Sequence, residues 1–268
     1  MATRISCNGV QLAVEDSGGG GPAVLFSHGL LYSLRMWDPQ ISALRQRFRC
    51  IAYDHRGQGQ SDAPLTGLDM DTLTEDVVAL IHALGIGPVH FVGMSMGGFV
   101  GMRLAARRPE LVRSLVLIDT SAGPEPRENI PRYRRLEWVA RWFGTRPVLG
   151  RVEAIMHGAS ARRDPARAAV LRMWREHLLR VDAVAMNRAV EGVLTRESAL
   201  PLLPRIDRPT LVLVGEEDAA TVPARSEELA AGIRGSQLVR IPRAGHMSPI
   251  DAPEVVTAEL HRFLEAQP

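Results

Sequence analysis

Five consecutive residues, Gly93-Met94-Ser95-Met96-Gly97, read G-x-S-x-G. This pattern suits a tight strand-to-helix turn that lifts a serine hydroxyl above the end of a strand. Such a hydroxyl is a weak nucleophile until a base takes its proton. His246, in Arg243-Ala244-Gly245-His246-Met247, is the candidate base, because imidazole changes charge near neutral pH. A third group must orient that ring. Gly215-Glu216-Glu217-Asp218 offers Asp218 first and Glu217 next, and Asp119 competes with both. The order Ser95, Asp218, His246 points to acyl transfer through a serine. Negative charge developing on a carbonyl oxygen needs fixed donors. The backbone N–H groups of Leu30, in Ser27-His28-Gly29-Leu30-Leu31, and of Met96 are assigned to that oxyanion hole. His28 itself reads as structural.

Elements of the right kind flank these residues. Short apolar runs at 23–27, 50–53, 89–92, 115–118, 210–214 and 237–241 have the character of strands buried on both faces. Helical spacing appears at 37–48, where Trp37, Ile41, Leu44 and Phe48 recur, and again at 71–84, 96–108, 223–233 and 253–264. A hairpin of 4–6 with 10–14 is expected around Asn8-Gly9. Strands alternating with helices predict a parallel sheet covered on both sides. The rhythm breaks from 121 to 201. That stretch is rich in arginine and proline and reads as helices, the clearest at 164–180. One α/β domain, 1–120 with 202–268, is therefore interrupted by a helical insertion at 121–201.

The chain has 268 residues, 46% of them hydrophobic and 23% charged, with a net charge of +2. This is ordinary globular composition. No basic run is interleaved with aromatics, which argues against nucleic acid. No stretch of about 18 apolar residues predicts a membrane span. The first residues lack the apolar core of a signal peptide, so a cytoplasmic enzyme is expected. Cys7 and Cys50 sit apart in apolar stretches without metal-like neighbours and read as buried thiols.

With these residues in place, the chain resembles the α/β-hydrolase superfamily over nearly its whole length. The resemblance rests on Ser27-His28-Gly29, Asp54-His55-Arg56-Gly57-Gln58-Gly59-Gln60-Ser61-Asp62, Gly93-Met94-Ser95-Met96-Gly97-Gly98, Gly215-Glu216-Glu217-Asp218 and Gly245-His246. The core is most similar to bacterial esterases, cofactor-free haloperoxidase-like perhydrolases and 3-oxoadipate enol-lactonases. The resemblance implies a mostly parallel sheet flanked by helices, with 121–201 as a helical cap over the site. It also implies a serine hydrolase acting on a small or medium carboxylic ester or lactone, without metal or organic cofactor. Serine at 95, where haloalkane dehalogenases and many epoxide hydrolases carry aspartate, speaks against both. Hydrolysis of a carbon–carbon bond in a diketone-like ring-cleavage product would use the same triad. A ligand receptor with little turnover is the reading from a different class. Leu31, Met94 and Met247 are expected near the reacting centre, with Trp138 and Trp142 either as an apolar wall from the cap or as part of the cap's own core. Arg132, Arg134, Arg135, Arg141, Arg146 and Arg151 either bind a substrate carboxylate or cover the solvent face of short helices.

Overall fold

A computed structural model describes residues 2–267. The apolar runs form strands β1 (Thr3–Cys7), β2 (Val10–Asp16), β3 (Ala23–Ser27), β4 (Arg49–Tyr53), β5 (Val89–Met94), β6 (Val112–Ile118), β7 (Thr210–Gly215) and β8 (Gln237–Ile241). They make one sheet in the order β1-β2-β4-β3-β5-β6-β7-β8. Asn8 and Gly9 both adopt positive φ, as a two-residue hairpin turn requires. The β1–β2 and β2–β4 pairs are antiparallel, and every later pair is parallel. β5 and β7 are buried throughout, which explains why their sequences are continuously apolar.

Successive side chains on a strand face opposite ways, so the sheet builds two cores. Phe91, Leu115 and Val212 pack beneath helices α2 (Met70–Ala83), α3 (Met96–Arg107) and α9 (Pro223–Gly232). Val92, Val116 and Leu211 pack beneath α1 (Asp38–Leu44) and α11 (Pro253–Glu265). Two expected helices are shorter than their apolar spacing suggested. Of residues 37–48 only Asp38–Leu44 form α1, entered from a 3-10 turn at Leu34–Trp37, with Pro39 in the first turn of α1 where its missing N–H costs nothing. Within 164–180, Asp164 caps a 3-10 turn at Pro165–Arg167, so the α-helix begins only at Ala168.

Between β6 and β7 lie α4 (Ile130–Phe143), α5 (Leu149–Met156), α6 (Ala159–Arg163), α7 (Ala168–Arg180) and α8 (Ala183–Leu194), with no strand among the described residues. The parallel strands end on one edge of the sheet, and a short helix, α10 (Ser248–Asp251), follows β8 there. That edge gathers Ser27, Ser95, Asp119, Asp218 and His246, the usual place for a site in an open α/β sheet. Among the described residues, no helix is long and apolar enough to cross a membrane.

Candidate active site

Ser95 is the single residue between β5 and α3. Its backbone has φ 49° and ψ −110°. A side chain on Gly93 would strike the carbonyl of Gly97, and one on Gly97 would strike the carbonyl of Ser27. The turn can close only with glycine at both places. Its hydroxyl lies 3.0 Å from His246 Nε2. His246 Nδ1 lies 3.0 Å from Asp218 Oδ2 and 3.2 Å from Oδ1. A carboxylate can only accept, so Nδ1 carries the proton and Nε2 is free to accept from Ser95. Burial pushes the His246 pKa down, but the carboxylates of Asp218, Asp119 and Asp251 outweigh it and hold it above the ordinary imidazole value.

Asp218 is fixed from its own turn. Ala220 and Thr221 each donate a backbone N–H to Oδ1 at 2.8 Å, and the Thr221 hydroxyl donates to Oδ2 at 2.8 Å. This is an Asx-type turn, which the spacing of Asp218 and Thr221 could have signalled. Asp119 is engaged elsewhere. Its Oδ1 accepts from Gly215 N–H at 2.8 Å and its Oδ2 from Ser248 N–H at 3.0 Å, joining the ends of β6, β7 and the start of α10. Burial raises its carboxyl well above the usual range, with the Asp218 charge adding to the effect. Glu217 reaches the insertion instead and accepts from Ser160 N–H at 2.8 Å and from the Ser160 hydroxyl.

Leu30 and Met96 sit on neighbouring segments. Gln58, buried between them, accepts from Leu31 N–H at 3.0 Å and points its amide at Met96 Sδ at 3.5 Å. His28 accepts from His55 N–H through Nε2 at 3.0 Å, so its Nδ1 donates to Gly29 O at 2.8 Å and steadies the same loop. Met96 is the first residue of α3, so its N–H has no acceptor within the helix.

A cavity of about 180 Å³ opens over Ser95 and His246. Leu30 and Leu31 line it. Met94, Met96 and Met247 do not. They are buried in the packing beneath, Met94 and Met247 with α1 and α11, Met96 with α2 and α3. Trp138 and Trp142 also lie elsewhere, 56% and 66% exposed on the outer face of α4. The cavity takes Tyr133, Leu136, Glu137 and Ala140 from that helix. These four recur at helical spacing, and the tryptophans fall on the opposite stripe. Arg132, Arg134, Arg135, Arg141, Arg146 and Arg151 are all exposed. Trp174, on α7 of the insertion, packs against Tyr32 on the loop after β3.

A further buried chain has no local signal in the sequence. Tyr32 donates its hydroxyl to His157 Nε2 at 2.9 Å, and His157 Nδ1 donates to Asp251 Oδ1 at 2.7 Å. Asp251 Oδ2 accepts from the N–H groups of Gly158 and Gly245, both at 2.8 Å. The chain joins the insertion, the loop after β3 and the loop that carries His246.

A family model described as the alpha/beta hydrolase fold matches residues 22–253. A protein of Agrobacterium fabrum, provisionally named carbamate hydrolase RutD, is 31% identical over 91% of this chain and 93% of its own. Among solved structures, the enol-lactonase from Burkholderia xenovorans superposes with a TM-score of 0.90 at 31% identity, over 98% of this chain and 100% of that one. A thermophilic esterase from Thermogutta terrifontis gives 0.89, also at 31% identity, over 99% and 98%.

Proposed function

The chain belongs to the α/β-hydrolase family, and from that footing we propose that it cleaves a small or medium carboxylic ester or lactone through an acyl-enzyme on Ser95. The observation that carries this reading is the unbroken line from Ser95 Oγ through the imidazole of His246 to Asp218, opening on a largely apolar cavity. The serine oxygen attacks the carbonyl carbon while Nε2 takes its proton. Asp218 keeps Nδ1–H pointed at itself and stabilises the imidazolium that forms. The N–H groups of Leu30 and Met96 receive the oxyanion. His246 then returns the proton to the departing alkoxide, which leaves as the alcohol. Water, deprotonated by the same nitrogen, releases the acid and restores Ser95. The helices at 121–201 act as a cap, and they supply most of the cavity wall. Enol-lactonase and esterase relatives of similar length and high structural likeness support an oxygen ester as the scissile bond. Incubation with a p-nitrophenyl alkylphosphonate tests the reading. We expect one covalent label per chain, on Ser95, and loss of esterase activity in Ser95→Ala. A second labelled residue, or full activity in that variant, would remove the serine from the mechanism.

A further inference from the structure

We infer that the cavity receives an uncharged, apolar arm of the substrate and turns away an arm that ends in a carboxylate. This rests on the ester-hydrolase reading and deepens it. Beyond Ser95 and His246, the wall is built largely from side chains such as Val148, Val152, Ile155, Leu178, Met186 and Val190. Three formally charged residues join it, Glu125, Glu137 and Arg196. Arg196 is therefore the group that decides whether an anion can be held.

It is already engaged. Its Nη1 donates to Glu125 Oε2 at 3.0 Å and to Val193 O at 2.8 Å, and its guanidinium lies 4.3 Å above the ring of Phe99. The Arg196 side chain is 3% exposed and that of Glu125 10%. The pair is thus neutral overall, with Nη1 shared between two acceptors and Nε buried away from solvent. Glu137 adds negative charge to the same wall. Burial and the neighbouring Glu191 push its pKa up to about 7, against the pull of Arg134, so it ionises above neutrality. A carboxylate entering here would lose its hydration, meet a second carboxylate and find its one cation taken. A methylene chain would gain from each buried carbon, by roughly fourfold in kcat/KM per methylene.

A matched pair of esters tests the inference at pH 8: p-nitrophenyl hexanoate and the mono-p-nitrophenyl ester of adipic acid. The acyl chains have the same number of carbons and differ in a terminal methyl or carboxylate. We expect hexanoate to be favoured in kcat/KM by a factor on the order of 100. Glu125→Gln frees Arg196, and the ratio should fall at least tenfold, mainly through a lower KM for the adipate ester. Glu137→Gln, on a partly exposed side chain, is the second variant and should lower the ratio by a smaller factor. Equal or better use of the adipate ester by the natural chain overturns the inference, and so does an unchanged ratio in both variants. Phosphonate labelling of Ser95 in the same preparations separates the two levels of failure. A label with the opposite preference, or with no turnover of either ester, overturns the substrate class alone. No label and no turnover removes the hydrolase reading and this inference with it.

Discussion

Two parts of the insertion are held in different ways. At 156–160 the contact is made of directional bonds: Met247 N–H to Met156 O at 2.8 Å, His157 and Gly158 to Asp251, and Ser160 to Glu217. α4 has no buried residue and turns Trp138, Trp142 and Phe143 to solvent. Its ion pair with α8, Arg134 to Glu191 at 3.0 Å, is itself exposed. Hydrogen bonds weaken steeply with angle and distance, whereas apolar packing has no preferred direction. The first region therefore holds the loops of Asp218 and His246 in register. The second is held mainly by packing, which fixes its position less sharply.

The largest effect should come from the bonded region. Asp218→Asn is expected to lower turnover by about 10⁴-fold, since the amide cannot hold the imidazole in the same tautomer or balance its charge. The pH profile should change with it. His246 must be neutral to accept the serine proton, and the raised pKa means that activity is lost on acidification at a pH above the ordinary imidazole value. With the Asp218 charge gone, burial weighs more, and the acidic limb of kcat/KM should move to lower pH. Asp119→Asn should cost far less, because Asp119 binds backbone amides. The reverse ranking in steady-state kinetics would transfer the orienting role to Asp119.

Next in size is His157→Ala. It strips a partner from both Asp251 and Tyr32 inside the protein, at about 1–3 kcal/mol for each group left unpaired. Urea unfolding should show the loss. A change below about 0.5 kcal/mol, the range of an ordinary surface substitution, would mean that packing also holds this contact and would erase the contrast with α4.

The smallest effect is expected at the exposed face. Trp142→Ala should shift stability by no more than about 0.5 kcal/mol and leave ester turnover unchanged. A marked rise in KM would instead place this face of α4 in substrate binding.

The same two regions divide what the sequence revealed. Gly93, Gly97 and Ser95 advertise their turn because close backbone approach dictates residue type locally. The strand ends that follow bring Asp218 and His246 to the same edge, so order along the chain sufficed. The link between Tyr32 and His157 spans 125 positions, and that between His157 and Asp251 spans 94. No local periodicity records such a pairing. α4 failed for another reason. Its stripe of Tyr133, Leu136, Glu137 and Ala140 is present in the spacing, but the larger apolar side chains, the tryptophans, fall on the opposite face.

The backbone of Ser95 lies where residues with a Cβ rarely rest. Its N–H is tied to Ile118 O at 2.9 Å, and its carbonyl receives Gly98 N–H at 2.8 Å, Phe99 N–H at 3.1 Å and the Thr120 hydroxyl at 2.8 Å. These bonds enforce a conformation that costs about 1–3 kcal/mol for any residue except glycine. Ser95→Gly should therefore melt at a higher temperature than the natural chain, while losing the hydroxyl. Durability and reactivity are opposed at this one position. Selection for endurance alone would favour glycine at this turn.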